Sequence, residues 1–385
     1  MRAACLFVML AGCDGVFGLV HLPDRSDAKT GTDVLDAAPC PSQLFSSGVD
    51  FATGQQPYDI ALVDFDQDID NTLDIIVTNE LGSSVSVLLG AGDGTFAPHI
   101  ESPAGSSPRG LAVGDVDRDD KLDIVASSAT LNSVSILLGT ENGGVGTAVA
   151  VLVGTPTADV ALATMNSDEA PDLLTALPGA VGLQLNNGTG LLSDVMAYTV
   201  GMTPNDIGVG DLDLDGLVDA VTANAGASTI SVLIHVGEGF ASHNPFDAGA
   251  SPRAIAVGQF DGDTLPDIAV AAVGSSTVEV LRNAGASTFG SVMSIPVPAS
   301  PFGLAAADVD GDRDIDLVVS SLDMARLTIL ENDGMGTFTP LARTLDTAQS
   351  PFRLALGDVD RDGRADIVVV QQGADTVRVY RACTP

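Results

Sequence analysis

Short apolar runs separated by polar, turn-forming punctuation recur along most of the chain in one fixed order. A proline opens each unit, and an alternating run follows, such as Leu111-Ala112-Val113. An Asp-rich loop leads to a second run, such as Leu122-Asp123-Ile124-Val125. A loop of small residues leads to a third, Val134-Ser135-Ile136-Leu137-Leu138. A Gly-rich turn, as in Gly92-Asp93-Gly94-Thr95-Phe96, and a weaker fourth run complete the unit. Runs of four to eight residues with period two, bounded by Gly, Asp and Pro, predict strands joined by turns. Proline suits the first position of a strand, where its missing N–H costs little.

The opening prolines are Pro57, Pro108, Pro156, Pro204, Pro252, Pro301 and Pro351, spaced by 51, 48, 48, 48, 49 and 50 residues. Each unit therefore predicts a four-stranded antiparallel meander, which cannot bury both of its faces alone. A ring of such sheets buries them by stacking blade on blade, and the period suits a propeller. The fold class expected is all-β, a seven-bladed propeller. A β-helix has shorter rungs, and an array of sandwiches has longer units. The last repeat stops at its third strand, Thr376 to Arg381, while Gln43 to Thr53 precedes the first proline as an orphan fourth strand. That segment is expected to complete the last blade and tie the ring shut. Cys40 and Cys383 flank the two paired ends, close enough for a disulfide. Closing so long a loop would remove about 5 kcal/mol of denatured-state entropy.

Composition sharpens this picture. The 385 residues are 45% apolar with a mean hydropathy of +0.30, yet 51 acids face 16 bases, a formal charge of −35. Such a chain repels phosphate backbones, which disfavours nucleic acid as a partner. At the N-terminus, basic Met1-Arg2 precedes an apolar Ala3 to Met9 and then Leu10-Ala11-Gly12-Cys13. This resembles a bacterial lipobox, which would place a lipid on Cys13; the apolar run is too short to span a bilayer. The expected division is a signal at 1–12, a polar tether at 13–41 and the propeller at 42–385. The expected location is the cell envelope, outer-membrane-anchored or secreted.

The acids are clustered. Between the first and second strands lies Asp-x-Asp-x-Asp-x-x-x-Asp, complete in Asp115, Asp117, Asp119 and Asp123; in Asp211, Asp213, Asp215 and Asp219; in Asp308, Asp310, Asp312 and Asp316; and in Asp358, Asp360, Asp362 and Asp366. Four carboxylates within nine residues repel one another, and a hard dication with six or seven oxygen ligands removes that cost. An isolated loop would be read as Asx turns; seven related loops point to metal. An all-protein oxygen cage favours Ca²⁺ over Mg²⁺, with four to six ions in all. The fifth loop has Gln259 first, then Asp261, Asp263 and Asp267, and is expected to bind more weakly. The third, Thr164, Asn166, Asp168 and Asp172, is the loop expected to be empty. The first contains two extra residues. Counted from Pro57 it starts at Asp64; counted back from Asp74 it starts at Asp66, which favours Asp66, Asp68, Asp70 and Asp74. Position six is Gly216 and Gly363 in two copies, where a tight turn suits glycine.

These loops, the Pro-x-x-[LI]-A-x-G-D opening and the Asp-Ile-Val-Val second strand resemble FG-GAP/VCBS repeats, which also form the propeller of integrin α chains. The resemblance covers about residues 42–383, although the Phe-Gly and Gly-Ala-Pro motifs are mostly replaced. It implies that the calcium loops are structural and lie on one face, with binding on the other.

No nucleophile, zinc or phosphate-loop motif occurs. His21, His99, His235 and His243 do not recur at ligand spacing and are read as lone surface residues. The residue after each opening proline is expected to ring the channel opposite the metal loops. Tyr58, Phe302 and Phe352 then form an aromatic arc beside Arg109 and Arg253, residue types common at protein interfaces; Thr157 and Asn205 complete the ring. The expected function is a non-catalytic, monomeric binding or adhesion scaffold. The alternatives are the propeller of a secreted hydrolase or lyase, and an accessory of an envelope complex.

Overall fold

The computed structural model describes residues 44–67, 71–285, 287–341, 344–347 and 350–383. The segments expected to be a signal and a tether, with Cys13 and Cys40, lie outside them. Seven four-stranded antiparallel sheets form a ring; in six of them the strands run in sequence order from the channel outward, and in the last the outermost strand comes from the N-terminal side. The innermost strands are Pro57–Val63, Pro108–Gly114, Val160–Ala163, Pro204–Gly210, Pro252–Gly258, Pro301–Ala307 and Pro351–Gly357, taken here as blades 1 to 7. Blade 4 carries an additional short hairpin, His235–Val236 with Gly239–Phe240. Among the described residues no helix is long and apolar enough to cross a membrane.

Burial follows the distance from the axis. The second strand of every blade, Asp74–Asn79 being the first, is buried along its whole length. Alternate side chains enter the two neighbouring interfaces. Ile76 packs between blades 1 and 2, whereas Ile75 and Val77 pack between blades 7 and 1. Both pleat faces are therefore apolar, as in any sheet covered on both sides. The outermost strands, such as Ile100–Pro103 and Val149–Leu152, have one face in water. The core is thus seven clusters, one at each blade interface.

The ring closes as the repeat ends predict. Val49–Ala52 pairs antiparallel with Thr376–Tyr380, so blade 7 takes its outer strand from the N-terminal side. Asp50 accepts two hydrogen bonds from Arg378, 2.6 and 2.7 Å, across this seam. Phe45 bridges to Ala382, and the Cys383 amide donates to Leu44 O at 2.7 Å. Cys383 is buried.

Candidate functional site

Each Asp loop joins the far end of an innermost strand to the second strand, so the loops share one face and the opening prolines lie on the other. Ligand-capable oxygens within 4.8 Å of one another occur in five loops: Asp64, Asp66 and Asp74; Asp115, Asp117 and Asp123; Asp211, Asp213 and Asp219; Asp308, Asp310 and Asp316; Asp358, Asp360 and Asp366. These are positions one, three and nine of the motif. Position-five carboxylates stand outside the clusters. Asp119, Asp215, Asp312 and Asp362 each accept from the amide two residues on, closing a turn. Positions four and six are left-handed, as at Leu214 and Gly216 (φ 61° and 87°). The loop thereby turns its first and third carboxylates towards the ninth. In the first loop it is Asp64 that occupies position one, so the count from Pro57 gives the cluster and the two extra residues fall later; Asp68 and Asp70 lie outside the described residues. Loops three and five form no such cluster among the described residues. In the fifth, Asp261 lies 3.9 Å from Arg282.

The donor set is suited to a hard cation. All ligand-capable atoms are carboxylate oxygens, and Oδ1 of Asp117 and Oδ1 of Asp213 are buried without accepting a hydrogen bond. Burial, followed by the neighbouring Asp119 and Asp115 charges, raises the Asp117 carboxyl above its ordinary range. Burial likewise pushes Asp123 up to about 6 and Asp316 and Asp366 up to about 7.

The ninth aspartate has a second task that the motif does not reveal. In every blade one oxygen accepts from the amide at the start of the loop and the other from an amide at or just past the end of the third strand. Asp123 takes Val116 N and Gly139 N, both at 2.7 Å. Asp172 takes Met165 N and Asn186 N, again at 2.7 Å, although its loop has Thr164 and Asn166 where others have acids. The ninth carboxylate thus pins together three strands of its own blade, which explains its presence in loops without the other ligands.

At the opposite mouth the residues after the prolines meet as expected, but as packing. Tyr58 contacts Phe352 edge-on at 5.1 Å and Phe302 at 6.3 Å, and all three rings are buried. Arg253 stacks 4.6 Å above Phe302 and donates to Tyr58 Oη at 2.9 Å. Arg109 lies 5.2 Å from the Tyr58 centroid and pairs with Glu80 at 2.7 Å. Thr157 is buried. His235 is also buried, contrary to its reading as a surface residue, with Nε2 3.1 Å from Met165 O of blade 3.

One layer deeper lies a group the sequence reading missed. Asp59, Asp159 and Asp206 precede the apolar run in blades 1, 3 and 4, and Arg353 takes the same place in blade 7. All four are buried. Asp59, Asp159 and Asp206 accept from Leu111 N, Ile207 N and Ile255 N, each the amide of the following blade. Arg353 crosses the channel to Asp206 at 2.7 Å. Burial, then the charges of Asp206 and Asp59, holds the Asp159 carboxyl well above the usual range. A Cβ on Gly110 would stand 2.3 Å from Asp159 Oδ1, so this close approach requires glycine. The available signal was the repeated Asp-Ile or Asp-Val outside the metal loops: Asp59-Ile60, Asp159-Val160 and Asp206-Ile207.

Comparison with known proteins adds the following. The FG-GAP-like repeat profile matches residues 68–126, 211–270, 260–319 and 308–369, together more than half of the chain. No curated protein matches in sequence. Similar solved structures include virginiamycin B lyase from Staphylococcus aureus (12% identity, 87% of this chain and 99% of that one, TM-score 0.60). They also include BBS1N in complex with ARL6DN (13%, 88% and 97%, 0.59). A third is an Agrocybe aegerita lectin that recognises non-reducing terminal N-acetylglucosamine (17%, 84% and 86%, 0.54). At these identities the likeness is one of fold.

Proposed function

The chain belongs to the FG-GAP-like repeat family, and from that premise we propose that it is a calcium-stabilised, non-catalytic propeller of the cell envelope that binds a protein partner through the face opposite its metal loops. The observation that carries the metal part is the set of five three-carboxylate clusters on one face. Asp115, Asp117 and Asp123, and their equivalents, would hold the ions. Bound calcium would cancel carboxylate repulsion and lock each loop between two strands. Export, a lipid on Cys13 and a Cys40–Cys383 disulfide belong to the same reading. In that setting a disulfide is stable and extracellular calcium keeps weak sites filled.

The catalytic alternative has one observation in its favour, the convergence of Asp59, Asp159 and Asp206 outside the metal loops. They are buried, and each is committed to a backbone amide of the next blade. A general acid must reach its substrate, so these groups suit the assembly of the ring better than chemistry.

The test is metal analysis of the mature chain with melting curves in calcium and in chelator. Five tightly held ions and a fall in Tm of several kelvin on chelation are expected. No bound calcium and an unchanged Tm would overturn the metal reading and leave the loops as turns.

A further inference from the structure

The central arginines differ in what neutralises them. Arg353 is paired with Asp206 in the buried throat, and Arg109 with Glu80. Arg253, half-buried at the mouth, has no carboxylate partner among the described residues. Its guanidinium is held by the Phe302 face and the Tyr58 hydroxyl. The surrounding rim is unusual for a chain of charge −35. Among the described residues, the loops that lead into the innermost strands carry one ionisable side chain, Asp159, which is buried in the throat below the rim. The loops between second and third strands add Glu80, Asp323 and Asp375. Glu80 is taken by Arg109, Asp323 accepts from Ser300 Oγ, and Asp375 accepts from Gln56 N at 2.8 Å. The metal loops put most of the remaining acid on the far face. The mouth is therefore a rim poor in charge around a cation that has no carboxylate partner among the described residues.

We propose that the channel mouth binds a carboxylate side chain of an acidic peptide segment, with Arg253 as its anchor. This rests on the reading of that face as a protein-binding surface and specifies its partner chemistry. A guanidinium matches a carboxylate through two parallel N–H donors. Stacking on Phe302 fixes the plane of the fork beforehand, which lowers the ordering cost of binding. The acid-rich far face repels an acidic segment, so the field steers it to this mouth.

The test uses calcium-loaded protein and a blocked hexapeptide of alternating Gly and Glu, with Gly-Gln and Gly-Lys peptides as controls. Calorimetry gives the affinity; the chain has three tyrosines and no tryptophan, so a change in tyrosine fluorescence is assigned to Tyr58 by its loss in Tyr58→Phe. The Glu peptide is expected to bind at least about tenfold more tightly than either control. Arg253→Gln is expected to abolish that preference, and 0.5 M salt to weaken it. Arg253→Lys, which keeps the charge but loses the fork, is expected to lose affinity at least about threefold with Tm preserved. Equal binding of Glu and Gln peptides, or unchanged affinity in the folded Lys variant, would overturn the proposal. Gln55→Trp, on the exposed rim, separates the two levels of the argument. Peptide binding that ignores Arg253 but is blocked by Gln55→Trp would keep the binding face and remove its anchor. Binding insensitive to both would remove the face.

Discussion

Arg353 of blade 7 and Asp206 of blade 4 lie 147 residues apart in sequence and meet at 2.7 Å across the channel. Neither exposes its charge to solvent. Asp206 also accepts from Ile255 N of blade 5 at 2.7 Å. The contact therefore ties three blades at the axis, where the closed strand pairing at the seam ties the ring at its outer edge.

Arg353→Met is expected to destabilise the ring by about 3–5 kcal/mol, because it leaves buried carboxylates without their cation. Urea unfolding in saturating calcium measures this without disturbing the loops. The loss should be smaller at pH 5 than at pH 8, where Asp159 and Asp206, both raised mainly by burial, carry more charge.

Asp159→Asn should change the pH dependence of stability. The native Asp159 carboxyl titrates above the unfolded value of about 3.9, so its proton is bound more tightly in the folded ring. The stability this adds is whole below about pH 3.9 and is lost as pH rises through the folded value. Asparagine has no such proton to lose and can still accept from Ile207 N. The variant should be more stable than the parent at pH 9, with a flatter profile between pH 5 and 9; a parallel profile would count against a protonated Asp159.

Two aspartates with the same motif letter should part company. Asp172→Ala removes both strand-pinning hydrogen bonds of blade 3 and should cost about 3 kcal/mol with no change in bound calcium. Asp117→Asn should lose one ion per chain and leave the stability in chelator nearly unaltered. Metal counting beside denaturant titration distinguishes them.

For the seam, non-reducing peptide mapping should recover Cys40 joined to Cys383. Cys383→Ser should lower stability by about 2–5 kcal/mol even though the strand pairing of Val49–Ala52 with Thr376–Tyr380 remains.

The sequence by itself determined the number of blades, the four-strand unit, the closing strand and the position of the acidic loops. These follow from local rules: period-two apolar runs, prolines at strand starts, and acids spaced for one turn. It also named Tyr58, Arg109, Arg253, Phe302 and Phe352 as neighbours, because closing the ring places equivalent positions side by side. Only the tertiary structure decided which role each equivalent residue takes. Asp64 rather than the later aspartates opens the first cluster, since strand register and not spacing from Asp74 sets the loop's start. Asp172 belongs with Met165 N and Asn186 N because three strands converge there. Asp159 sits against Gly110 of the neighbouring blade, and Arg353 finds Asp206 across the axis, because the ring brings equivalent positions together and the side chain each one carries decides which of them pair. A repeat records what each blade does for itself; the throat depends on how seven unequal copies meet.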